Sequence, residues 1–270
     1  MPPVSVSKIR TASTLILAAA ALAACATSPL GRSQLKLYSD DEMAKLGAAA
    51  FQQTEKKTPV SADGHTVAYV SCVANAITRE LPNGGGNWDV KVFESKDINA
   101  FALPGGKIGV YTGLLKVTQT QDQLAAVIGH EVSHVLAGHS NERVSQEQAT
   151  NVGLQVASVV IGGNGAVSSA ALGALGLGAQ YGILLPFSRT HESEADLLGL
   201  DLMSKAGFDP RQAVNLWQNM ARLGGEKPPE FASTHPSDAT RIRQIEARLP
   251  QDLPLYEQAR AGGKRPQCGP

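Results

Sequence analysis

His130-Glu131-Val132-Ser133-His134 spells H-E-x-x-H. Residues four apart on a helix share a face, so a helix here brings two imidazoles to one point. Glu131 lies alongside, placed to take a proton from a water activated by a metal at that point. The surrounding sequence supports the helix. Thr120-Gln121-Asp122-Gln123 has the form of a capping box, Leu124, Val127, Ile128 and Val135 recur at helical spacing, and Gly138 is placed to end it.

Zinc needs a third protein ligand and a corner left for water. A downstream histidine on the same helix does not supply it, because the positions where a metzincin carries Gly and His are Ala137 and Ser140. His139 is nine residues from His130, roughly half a turn around a continuous helix, so it is expected to face away as a helix-end histidine. Ser188-Arg189-Thr190-His191-Glu192-Ser193-Glu194-Ala195-Asp196 is the better source. Glu192 and Asp196 are four apart and share a face, whereas Glu194 is rotated away and expected in solvent. Ala195 and Gly199 on one helix, with Ala126, Ala137 and Gly138 on the other, would let the two helices approach closely. Asp196 can then accept an imidazole N–H from a ligand histidine and fix its tautomer. Arg241 is a candidate site-facing cation, with a structural ion pair equally open.

These motifs together resemble the gluzincin metallopeptidases of the HtpX, BepA and prenyl-protease family. Asn99-Ala100-Phe101-Ala102-Leu103-Pro104-Gly105-Gly106 and Ser233-Thr234-His235-Pro236 strengthen the likeness, which covers roughly residues 40–250. The resemblance implies one Zn2+ held by His130, His134 and Glu192, with Glu131 as general base. It implies a catalytic-site role for Asp196, as an acid or as the group orienting a ligand, of which the second is preferred here. His235 matches a histidine that can cap the metal as a fourth ligand or swing back to stabilise an oxyanion. It also implies an edge strand, Asn99, Ala100, Phe101 and Ala102, that pairs with extended substrate.

The fold expected is α+β: one mostly helical zincin-like metallopeptidase domain with a small, partly antiparallel β-sheet. Ser39 with Asp40-Asp41-Glu42 opens a helix to about Lys57, and a second runs over Thr66–Leu81. Trp88–Phe93, Asn99–Leu103 and Lys107–Tyr111 read as strands, the last two joined by Pro104-Gly105-Gly106. Asp209-Pro210 opens a further helix, and Pro236–Leu249 is the last. Gln148–Ser188 holds 41 residues without Asp, Glu, Lys or Arg. Two readings of it stand, a membrane hairpin and two tightly packed helices; its Gly and Ser density favours the second, near the cleft and able to gate it.

Residues 1–24 read as a signal peptide. Lys8 and Arg10 precede an apolar run, Leu15–Ala24, that closes on Leu22-Ala23-Ala24-Cys25. That ending resembles a bacterial lipobox, which implies cleavage before Cys25, its acylation, and anchorage at the periplasmic face of the outer membrane. The expected division is 25–39 lipidated tether, 40–252 peptidase domain and 253–270 tail. In an oxidising compartment Cys72 and Cys268 can pair; two unpaired thiols are the alternative. The 24 basic and 24 acidic residues balance, which excludes a polyanion-gripping, nucleic-acid-binding surface as the main feature. Expected partners are unfolded or misassembled envelope polypeptides, with the bilayer through Cys25. The function implied is a zinc endopeptidase of envelope quality control. Its rivals are a chaperone-like outer-membrane assembly factor of the same fold and an integral membrane peptidase.

Overall fold

The computed structural model describes residues 25–160, 187–223, 231, 235 and 239–269. The signal segment and most of the charge-free stretch lie outside the described residues, and so does the expectation that the latter forms a helix pair.

Local signals place most elements. Helix α1 (Asp40–Lys57) starts on Ser39, whose hydroxyl accepts from the Glu42 N–H while the Glu42 side chain accepts from the Ser39 N–H, a complete capping box. Helix α2 (Gly64–Thr78) starts two residues earlier than the apolar spacing indicates, because Asp63 caps it. A three-stranded sheet follows, β3 (Asp89–Phe93), β4 (Ala100–Leu103) and β5 (Lys107–Tyr111), in the order β3-β5-β4. The β3–β5 pair is parallel and β4–β5 antiparallel, so the sheet is mixed and β4 is an edge. After a one-turn helix α3 (Thr112–Leu115) comes α4 (Gln121–Leu136), capped by Thr120. Gln123 turns its amide oxygen to the Gln119 N–H, one residue before the position a full box would use.

Helix α5 (His139–Val160), α6 (Arg189–Lys205), α7 (Arg211–Leu223) and α8 (Ala239–Ala261) complete the body. The core lies between α2, α4, α6, α7 and the inner face of the sheet, around Val70, Ile108, Leu124, Ile128, Met203 and Phe208. A second cluster of Phe51, Phe93, Phe101 and Tyr111 lies around α1 and the sheet. Among the described residues no helix is long and apolar enough to cross a membrane.

Residues 25–39 carry regular structure: β1 (Cys25–Thr27) and β2 (Ser33–Leu35) form an antiparallel hairpin whose Ser28 and Gln34 are buried. Position 252 lies inside a helix. Helix α8 runs through it to Ala261 despite Pro250 and Pro254, with Ile245, Asp252 and Ala259 buried. The tail beyond is fastened by a Cys72–Cys268 disulfide, Cα–Cα 5.5 Å.

Candidate metal centre

Helices α4 and α6 cross where both are reduced to glycine. A methyl group added to Gly199 would lie 2.9 Å from the His130 nitrogen, and one on Gly129 would lie 2.9 Å from the Gly199 carbonyl oxygen. This backbone contact brings His130 and His134 from one helix against Glu192 and Asp196 from the other. Gly129 makes the approach, not Ala137 or Gly138. His235 arrives from outside the pair: its N–H donates to the Phe231 carbonyl, and the Phe231 N–H to the Ile98 carbonyl just before β4.

One donor atom from each of His130, His134, Glu192 and His235 lies within 4.8 Å of the others, and all four residues are buried. His130 Nε2 is 3.1 Å from His134 Nε2 and 3.2 Å from His235 Nδ1. Glu192 carboxylate oxygens lie 3.5 Å from each of those Nε2 atoms and 3.1 Å from His235 Nδ1. Tetrahedral zinc with bonds of about 2.0–2.1 Å needs ligand atoms roughly 3.3 Å apart, so this donor set fits it.

The tautomers fit as well. His130 Nδ1 lies 2.9 Å from Asp196 Oδ1, and Asp196 is gripped by Arg241, Nε to Oδ2 at 2.7 Å and Nη2 to Oδ1 at 2.8 Å. A proton on Nδ1 leaves the Nε2 lone pair facing the centre. Arg241 Nη1 also lies 2.8 Å from Glu192 Oε2, so the cation lies beside the site and closes a structural ion pair at once. Its guanidinium stacks on Trp217.

Burial would raise the Glu192 pKa, but hydrogen bonds from His130 and His235 hold it well below the carboxylate range. Glu192 therefore brings a negative charge. Burial lowers the His134 pKa, and the neighbouring His130 lowers it further. Burial pushes Glu131 up, opposed by His235, whose Nε2 is 3.3 Å from Glu131 Oε1. The Ala102 N–H on the β4 edge faces the same carboxylate and also opposes the rise.

Two expectations about neighbouring residues are corrected. Helix α4 ends at Leu136, and Gly138 at φ +67° reverses the chain, so His139 opens α5 and points back. Its Nδ1 is 2.9 Å from His134 Nδ1. Glu194 is 5% exposed, not solvated, because the hairpin covers it: Arg32 Nε donates to Oε2 at 3.0 Å and His139 Nε2 lies 3.2 Å away. The Phe187 ring stacks on His134 at 3.8 Å. Sequence reasoning missed Arg32, Gln34 and Glu142. Nothing in the sequence ties Arg32 and Gln34 to Glu142, 110 and 108 positions further along the chain.

A family model described as "Peptidase family M48" matches residues 64–249. The chain belongs to peptidase family M48. Zinc is the metal of that family, in keeping with the donor set. The chain is 40% identical over 188 residues to the mitochondrial metalloendopeptidase OMA1 of Schizosaccharomyces pombe, covering 69% of this chain and 54% of that one. It is 31% identical over 216 residues to the metalloprotease LoiP of Escherichia coli, covering 79% and 83%. With a β-barrel assembly-enhancing protease of Yersinia pestis it shares 29% identity over 224 residues, covering 81% and 46%. The chain spans about half or less of the length of the OMA1 proteins from fission yeast, Arabidopsis thaliana and Saccharomyces cerevisiae, 54%, 37% and 51%.

Proposed function

We propose that this M48 chain is a zinc metalloendopeptidase, lipid-anchored at Cys25 to the periplasmic face of a bacterial outer membrane, that cleaves unfolded or misassembled envelope polypeptides. The observation that carries the activity is the placement of Glu131. Its carboxylate sits between the four-residue centre and β4, an edge strand among the described residues.

His130, His134 and Glu192 would hold the metal. When bound, zinc polarises the scissile carbonyl and makes water a competent nucleophile at neutral pH. Glu131, with a pKa raised by burial, takes the proton from the attacking water and returns it to the departing amine. Asp196, fixed by Arg241, keeps the His130 lone pair on the centre. His235, with Nδ1 beside His130 and Glu192, would add a fourth donor in competition with water, and on withdrawal its imidazole could stabilise the oxyanion.

Substrate is read through the backbone. The Tyr111 N–H donates to the Asn99 carbonyl, so Asn99, Phe101 and Leu103 use their main-chain groups toward β5. Alternation then turns the Ala100 and Ala102 groups outward to an added strand. Such recognition needs an extended segment, which a folded protein does not offer. The relatedness to LoiP and to a β-barrel assembly-enhancing protease, together with the Cys25 lipobox, supports the envelope address. The latter relative also keeps the assembly-factor reading as the rival.

The test is degradation of an unfolded protein by wild type and Glu131→Gln. The variant is expected to bind about one zinc per chain and lose activity by at least a hundredfold. Equal cleavage by both proteins would overturn the activity; absent cleavage by wild type, with aggregation of unfolded barrels suppressed, would favour the assembly factor.

A further inference from the structure

Both ligand histidines are backed by a buried carboxylate that is itself gripped by an arginine. For His130 the chain is Asp196 and Arg241. For His134 it is longer: His139, then Glu194, then Arg32 on the N-terminal hairpin. We propose that Arg32 is a positioning residue for His134, making the β1–β2 hairpin a working part of the metal centre. The proposal rests on His134 being a metal ligand.

The direction of the hydrogen bonds decides the matter. A lone pair on His134 Nε2 requires the proton on Nδ1, and that nitrogen lies 2.9 Å from His139 Nδ1, which must then accept. His139 in turn carries its proton on Nε2, 3.2 Å from Glu194 Oε2, which accepts. Arg32 Nε donates to that same oxygen at 3.0 Å and cannot accept. An arginine at the end of the chain therefore polarises every bond in one sense, toward a His134 lone pair on the centre.

Arg32 is itself built in. Its two terminal nitrogens make a fork to the Glu142 carboxylate, 2.6 Å to each oxygen. Gln34 Nε2, from the same hairpin, donates to Glu142 at 2.7 Å and to the Ala137 carbonyl at 2.9 Å, capping the end of the helix that carries His130 and His134. His191, adjacent to Glu192, lies 3.2 Å from Glu142 and stacks on His139 at 4.4 Å. His139 and Glu142 are 0% and 3% exposed, so water does not substitute for a lost partner. Without Arg32, Glu194 loses its counter-charge and keeps only Ser28 and His139 as partners, so the opposite tautomer of His139, which turns the His134 lone pair off the centre, is less strongly disfavoured.

Arg32→Ala and Glu194→Gln in the full chain test this, with zinc affinity read by chelator competition alongside kcat, KM and the unfolding temperature of the metal-free protein. Both variants are expected to bind zinc 10–100-fold more weakly, the range for partners of a ligand histidine. Activity at saturating zinc should fall in kcat with KM changed less than twofold, since β4 is untouched. Arg32→Lys, which cannot fork, is expected to fall between. A merely structural arginine would lower the metal-free unfolding temperature and leave zinc affinity within twofold of wild type; that result in either variant overturns the proposal. His134→Ala separates the premise: full zinc retention there would remove the ligand reading itself.

Discussion

Gly199 sets the distance between the two helices of the candidate metal centre. The carbon a substitution would add meets the His130 nitrogen at 2.9 Å and the Gly129 carbonyl carbon at 3.0 Å, both backbone atoms that cannot rotate away. Gly199→Ala must move one helix by a few tenths of an ångström. Overpacking of this kind costs about 1–3 kcal/mol, which thermal unfolding of the metal-free protein will register. Because Glu192 is on the displaced helix, zinc affinity should fall as well, by more than the twofold expected for an alanine on an exposed face. Unaltered affinity would mean that the ligand side chains, and not the backbones, hold the ion. Residue identities at this scale were largely legible. H-E-x-x-H and the Glu192/Asp196 pair declare a shared face by spacing alone, and Gly199, Ala195 and Ala126 declared a close approach. Gly129 escaped because its importance depends on which residue of another helix lies opposite.

At the scale of elements, what was legible was local and what was hidden was not. Ser39, Thr120 and Asp209 announce helix starts through bonds three residues long or shorter. The hairpin is fastened instead by contacts from Arg32 to Glu142 and Glu194, across 110 and 162 positions, so residues 25–39 read as polar linker. Glu142 measures that docking. Burial opposes its ionisation, but the hydrogen bonds from Arg32 and Gln34 prevail and bring its pKa from 4.5 to about 2. A depressed pKa adds stability that is present above the unfolded value of 4.5 and is lost as pH falls toward 2. Glu142→Gln is therefore expected to cost about 1–3 kcal/mol at pH 7, with Arg32 partly exposed and its pair screened accordingly. Urea unfolding at pH 7, 4 and 3 should show the gap between variant and wild type closing as the pH drops. A gap constant across those values would mean that Glu142 contributes shape rather than charge.

For the molecule as a whole, the disulfide joins α2 to the last residues of the chain and encloses His130, Glu131, His134, Glu192, Asp196, His235 and Arg241 within a loop of 196 positions. The sequence offers Cys72 and Cys268, and the resemblance of Leu22–Cys25 to a lipobox implies an oxidising compartment; neither carries a distance, so pairing is one of two readings there. The tail does not depend on sulfur alone. Gln121, at the start of the helix that carries His130 and His134, donates to the Pro266 carbonyl at 2.8 Å and accepts from the Cys268 N–H at 2.8 Å. Lys264 reaches Glu80 at 2.7 Å and the Lys205 carbonyl at 3.0 Å, beside the close contact of Gly207 with the Lys264 backbone. The bridge should therefore act chiefly on the unfolded chain, whose freedom a closure of this length restricts by roughly 3–5 kcal/mol. Cys268→Ser, or reduction of wild type, is expected to lower the unfolding free energy by an amount of that order while zinc affinity stays within twofold. Loss of zinc together with the bridge would instead show that the tail clamps the start of the metal-binding helix, and that Gln121 cannot hold it alone.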